Sequence, residues 1–203
     1  MALFKPKAKT GVNYYGNCEI AILGYSDFSS KYDWADVYLD VEVKQKGSDY
    51  TKSIRIAGSF EKDPDGSITG GSVLSRLYHF FDILNIQAGI NAKGDWETAD
   101  GNPIEDIAAY LNANHGNESR EPKSFPYIAY VYREKPKQVG GKVYTRVHHK
   151  ININSPDGRK KLDDDVNWFK SKGFIKEAKE DEPSKVSQEE LDNVFGSDAM
   201  SNM

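Results

Sequence analysis

The chain has 203 residues, which suits one domain with an appendage, and 38% hydrophobic content with twelve Tyr, nine Phe and three Trp supplies a core with rings to spare. No apolar run approaches the roughly 18 residues of a membrane span, no apolar segment follows the cations of the opening MALFKPKAKT, and the single Cys18 excludes an internal disulfide framework. A non-membrane protein of a reducing cytoplasm is expected, a host's cytoplasm if the chain is viral. Net charge is −4, but residues 120–161 hold eleven Lys/Arg against three Asp/Glu, whereas residues 175–203 hold eight acids against three lysines. The chain is dipolar, with a basic region and an acidic end.

Residues 1–13 read as an extended arm with Lys5, Lys7 and Lys9 at alternate positions. A strand is expected over 15–25, with Cys18, Ile20 and Ile22 facing one way. The loop 26–33 holds Phe28 and Tyr32 and leads into Trp34. Alternation over 36–46 turns Val37, Leu39, Val41 and Val43 inward and Tyr38, Asp40, Glu42 and Lys44 outward. Gly47-Ser48-Asp49 reads as a hairpin turn. The third strand, over 50–60, sets Lys52, Ile54 and Ile56 on one face and Thr51, Ser53 and Arg55 on the other. Asp63-Pro64-Asp65-Gly66 closes a tight turn and lacks the later ligand positions of a calcium loop, so no metal is expected there.

Ser72 is the expected cap of an amphipathic helix in which Val73, Leu74, Leu77, Tyr78, Phe81 and Leu84 fall at i, i+3, i+4 spacing, with Gly89 past its end. Asn102-Pro103-Ile104-Glu105 has the form of a capping box for a shorter helix striped by Ile104, Ile107, Ala108 and Leu111. Residues 112–123 read as a polar loop. Ser155-Pro156 opens a third helix with Leu162, Val166 and Phe169 on one face, stopped by Gly173. From residue 176 onward the apolar content is too low to offset the entropy of ordering, so a disordered acidic tail is expected. Within it Leu191, Val194 and Phe195 would line one side of a helical turn, the form of a docking motif for a partner's groove.

The basic region carries the functional expectation. Two β-rich arms, 127–133 and 142–153, flank a polar loop with a Pro and a Gly pair. On the second arm Val143, Thr145, Val147 and Ile151 share one face, and Tyr144, Arg146, His148 and Lys150 share the other. A ring followed by cations beside a lysine loop suits a surface that stacks bases and neutralises phosphates.

Three strands, a helix and two more strands give the order of a mainly β, five-stranded OB-fold barrel with added helices, the first of them between strands 3 and 4. The expected plan is an arm at 1–13, an OB-fold domain at 14–174 with an insertion at about 90–124, and an acidic tail at 175–203. Such barrels bind oligonucleotides, sugars or proteins at strands 2–3 and the loops after strands 1 and 4. The candidate contacts to single-stranded DNA are Tyr32, Trp34, Arg55, Tyr130, Tyr132, Lys135, Lys137, Lys142, Tyr144, Arg146, His148 and Lys150.

In layout and charge pattern, the strand 17–25, the long hairpin 36–60, the helix ending near 85–89 and the acidic end resemble the small single-stranded-DNA-binding proteins of bacteriophage replication systems. The resemblance implies an OB-fold that coats single-stranded DNA without sequence preference in replication, recombination and repair. It also implies a tail that recruits DNA polymerase and helicase–primase and competes with DNA for the basic groove, here with Leu191 and Phe195 as apolar anchors. Tails of that family often end in an aromatic or apolar residue, whereas here residues 196–203 follow Phe195.

Other readings are an RNA-binding protein, or a protein-interaction or virion component whose barrel binds another chain; a homodimer is left open. An enzyme is not expected. Asp163, Asp164 and Asp165 would point about 100° apart on a helix, and His148 and His149 would face opposite sides of a strand. No phosphate-cradling Gly loop, zinc spacing or nucleophile elbow is present, so no cofactor is expected.

Overall fold

Strands form where apolar residues recur at every second position. In the computed structural model, which describes residues 13–117, 119–138 and 141–178, β1 (Gly16–Asp27), β2 (Val37–Gln45) and β3 (Thr51–Gly58) make an antiparallel meander. Next comes a ribbon of β4 (Glu61–Lys62) and β5 (Ile68–Gly70), closed by the Asp63–Gly66 turn, and then helix α1 (Ser72–Leu84). A second ribbon, β6 (Ala88–Ile90) and β7 (Trp96–Thr98), precedes α2 (Ile107–His115). The chain closes with β8 (Tyr127–Glu134), β9 (Tyr144–Ile153) and α3 (Pro156–Ser171). The fold is mainly β: a five-stranded antiparallel sheet of order β3-β2-β1-β8-β9, with three helices. No helix among the described residues is long and apolar enough to cross a membrane.

The inner face of the sheet carries the alternating set, Ile20, Ile22, Leu39, Val41, Val43, Ile54, Ile56, Ala129, Val131, Val147 and Ile151, all buried. Val73, Leu77, Phe80, Phe81 and Leu84 of α1 complete this core. Fully burying a side chain such as Leu77 or Phe80 contributes about 1.5–3 kcal/mol. The stripe is rotated from the expected one. Phe80 replaces Tyr78, which is exposed and bonds through its hydroxyl to the backbone of Ile90.

The expected barrel is instead an open, curled sheet. Register breaks between Ile22 and Gly24 on β1, and between Ala129 and Val131 on β8, mark bulges that sharpen the curl. Strand alternation makes the two edges, β3 and β9, parallel to each other. Thr51, Lys52, Ser53 and Arg55 line one cavity with Thr145 and Arg146, but among the described residues no ladder joins the two strands.

A second cluster lies on the outer face. Leu162 and Val166 of α3 pack with Ile128 and Ile175, with Tyr130, Tyr132 and Phe169 at its border. Helix α3 starts as expected, with Ser155 Oγ accepting from the Gly158 amide and Pro156 in the first turn. An added Cβ at Gly158 would collide with the Ile153 carbonyl, so this reversal from β9 into α3 requires glycine. Strand β8 is thus covered on both faces.

Other local expectations need correction. Ser72 is the first helical residue of α1 and makes no side-chain cap; Gly71 (φ 125°) holds the cap position, and the helix ends on left-handed Asn85, within the expected 85–89. The Asn102–Glu105 segment does not open α2. It lies along β7 through Thr98 N–H to Asn102 O and Ile104 N–H to Trp96 O, while Asp106 caps the helix by accepting from Ala109 N–H. The expected loop from 112 is helical as far as His115. Residues 175–178 belong to the body: Ile175 is buried, Lys135 N–H donates to Lys176 O, and Ala178 N–H donates to Arg133 O. The arm 1–12 and residues 179–203, including Leu191, Val194 and Phe195, lie outside the described residues.

Candidate nucleic-acid interface

Because α3 covers the outer side of β8, cations and rings can gather in the open along β2, β3 and the start of β9. The cavity between the two sheet edges has a volume of about 460 Å³ and is lined by Tyr50, Lys52, Arg55 and Arg146 with polar Thr51, Ser53 and Thr145. Arg55 stands opposite Asp40 on β2, with Nε 3.4 Å from the carboxylate. Arg146 Nε donates to Glu134 at 2.7 Å, and its guanidinium lies 5.5 Å from the Tyr144 ring centre. Both ion pairs are solvent-accessible and hold their cations loosely.

Lys52 differs. It faces the sheet interior with Ile54 and Ile56, and its buried Nζ has no hydrogen-bond partner. Burial pushes its ammonium below the ordinary range, with Cys18 opposing. Burial likewise pushes the Cys18 thiol up, against a hydrogen bond from Gln45, so Cys18 is a neutral thiol and no counterion. Lys52 also lines the cavity, and turning its ammonium outward onto an entering anion would supply the acceptor it lacks.

At the Thr51 end of β3, the loop after β8 supplies lysines. Lys135, Lys137 and Lys142 line a hollow of about 360 Å³ with Tyr144 and Arg146, so Arg146 borders both hollows. Tyr144 is 51% exposed. At the Gly58 end, the loop after β1 supplies rings. Tyr32 stacks on Tyr38 at 4.7 Å, with Trp34 6.0 Å from each and 57% exposed. The loop is fixed by Ser29 Oγ, which accepts from Tyr38 N–H, and by Ser59 Oγ, which donates to Trp34 O. Asp36 anchors its far side. Burial works against that carboxylate, but the Lys62 ammonium and the Phe60 amide hold it below the usual range.

The structure therefore places Arg55 and Arg146 on the seam cavity, Lys135, Lys137, Lys142 and Tyr144 on the hollow that shares Arg146, and Tyr32 and Trp34 in the ring cluster toward the other end of β3. Tyr130, Tyr132, His148 and Lys150 are placed elsewhere. Tyr130 and Tyr132 border the α3 cluster, and the Tyr130 hydroxyl sits between Lys170 and Glu177. His148 is only 7% exposed, with Phe169 4.6 Å away. Burial, then Lys150, pushes its pKa down to about 4, so the ring is neutral and cannot serve as a phosphate-binding cation near pH 7.

His148 and His149 do not face opposite ways. Three residues of β9 pass opposite Tyr130 alone, and this bulge sets the two rings 4.3 Å apart beside α3. Lys150 lines a separate aromatic cleft with Arg76, Trp168 and Phe174. Sequence reasoning missed Lys52, Tyr50 and Tyr38. Lys52 had a signal in being the one cation among inward-facing β-branched positions.

Among the described residues no group of three or more His, Cys, Asp and Glu is placed to hold a metal. What the face offers is rings and cations. No family model, curated protein or solved structure matches the chain, so its reading rests on this face.

Proposed function

We propose that this chain binds single-stranded DNA without sequence preference, along the seam between β3 and β9, as a coat in replication, recombination and repair. The carrying observation is the seam cavity. Three cations from two strands line one hollow, with a lysine loop at one end and a ring cluster at the other. The strand order and the parallel approach of the two edges support an OB-type barrel left open at that seam. Its ligand face would then be strands 2–3 with the loops after β1 and β8. Phosphates would meet Lys52, Arg55, Arg146 and the loop lysines, while bases stack on Trp34, Tyr32 and Tyr144.

The acidic C-terminal segment would compete for the same groove and recruit replication proteins through Leu191, Val194 and Phe195. Lys176–Ala178 run beside Arg133–Lys135, so the segment departs next to the basic loop.

Titration of the full chain with oligothymidine, oligouridine and duplex of equal length, at two salt concentrations, tests the reading. Steeply salt-dependent binding of oligothymidine, tighter than duplex, is expected. Equal or absent binding of the single strand refutes it, and tighter binding of oligouridine reassigns the ligand to RNA.

A further inference from the structure

A cleft of about 630 Å³ lies between α1, β9 and the end of α3, apart from every ring placed in the seam. Trp168 and Phe174 form its lip, 51% and 67% exposed, with ring centres 5.9 Å apart. Phe174 is held there by the ending of α3. Gly173 adopts φ 71° and donates to Lys170 O, Phe174 N–H donates to Phe169 O, and the Phe174 ring leans on Phe169. Two large rings kept in water side by side form a patch of the kind that marks a binding surface. Its floor is Phe169 with His148 and His149, both kept neutral by burial. Its charged groups are Arg76 and Lys150, and among the described residues no carboxylate lines it.

The cleft also continues the seam. Arg76 Nη2 donates to the carbonyl of Ala57, two residues along β3 from Arg55. On the other wall Tyr132, which lines the cleft, is the cross-strand partner of Arg146. A strand lying in the seam therefore reaches the cleft past Arg146 and Tyr132, where Glu134, paired with Arg146, and Glu177 are the carboxylates it passes.

We propose that this cleft is a second stacking site for unpaired nucleobases of the same DNA strand, with Trp168 and Phe174 as platforms and Arg76 and Lys150 as phosphate contacts. The proposal rests on the reading of the seam as a single-strand groove. It lengthens the footprint from the seam around the edge of β9 onto α3. The mixture of rings and cations fits alternating bases and phosphates.

The test uses the full chain with Trp34 and Trp96 replaced by Phe, leaving Trp168 as the sole indole. Oligothymidines of increasing length are added while Trp168 emission and the anisotropy of a labelled oligonucleotide are followed together. Saturable quenching of Trp168 is expected for long oligonucleotides at the midpoint reported by anisotropy. Phe174→Ala, at an exposed position, should weaken long oligonucleotides about tenfold and leave the shortest unchanged. Binding by anisotropy with unaltered Trp168 emission overturns the cleft and leaves the seam standing. Absence of oligothymidine binding by the unaltered chain overturns both. A shift of Trp168 emission on deleting residues 179–203, with none on adding DNA, assigns the cleft to the chain's own acidic segment and also overturns the proposal.

Discussion

Arg146 is where the electrostatic reading of the seam is most exposed to experiment. If Lys52, Arg55, Arg146, Lys135 and Lys137 each neutralise a phosphate, about five counterions leave the strand. The slope of log K against log salt is then about −3.5, and affinity falls roughly 100-fold between about 50 and about 200 mM salt. Arg146→Ala removes one contact and about 0.7 from that slope, so binding should weaken about 8-fold at the lower salt and about 3-fold at the higher. The Glu134 carboxylate, 2.7 Å from Arg146 Nε, would then stand unpaired at the same hollow, which places the loss at the upper end of that range. Adding Glu134→Gln should restore part of it. Fluorescence titration across a salt series reads both quantities, and Lys93→Ala, in the exposed turn between β6 and β7, serves as the control. A slope for Arg146→Ala equal to that of the unaltered chain would refute the placement of a phosphate at the seam.

Trp34→Ala should cost about 1–3 kcal/mol of single-strand affinity with little change in salt slope, since it removes a stack and no charge. Deleting residues 179–203 should tighten DNA binding at low salt; unchanged affinity would argue against competition by the acidic segment. Phe80→Ala should destabilise the fold by about 3–5 kcal/mol in urea unfolding, because the side chain is fully enclosed between α1 and the sheet. The His148 pKa is lowered on folding, so the unfolded chain takes up its proton first as pH falls. Stability tied to this group is intact above about 6.5 and is lost as pH drops toward about 4. Between pH 7 and pH 5 the loss tied to His148 is about 2 kcal/mol and buried His149 adds its own, so His148→Phe should make that part of the profile shallower without flattening it in urea unfolding.

The alternation of Val37 to Val43 and of Ile54 and Ile56 was legible because one face of that hairpin is buried and the other wet. The start of α3 was legible because Ser155 and Pro156 act locally. Elements whose ends are set by tertiary pairing were not. Asn102–Glu105 carries a good capping pattern, yet pairing with Trp96–Thr98 satisfies its backbone first. Gly71 takes the cap position of α1 because the chain passes so close to Ser59–Glu61 that a Cβ would crowd that backbone. Period two also separates the faces of a strand without revealing what covers them. His148 fell on the face expected to be open, but α3 lies over that part of the sheet.

That covering is also the reason the uncovered part of the sheet draws attention. A sheet curled around α1 has one inner face, already filled, and an outer face that α3 shields only across β8 and part of β9. Beyond α3, β2 and β3 carry Asp40, Glu42, Ser53 and Arg55, polar side chains at least partly open to water. Solubility does not explain Lys52, since an inward-facing ammonium with no acceptor is costly and an apolar residue at that position would suit folding better. Lys52→Met therefore separates the two roles of the seam. If the position serves an anionic strand, the variant should unfold at equal or higher urea concentration while binding DNA several-fold more weakly. A variant that loses stability and keeps its affinity would make Lys52 a structural group and remove one cation from the proposed groove.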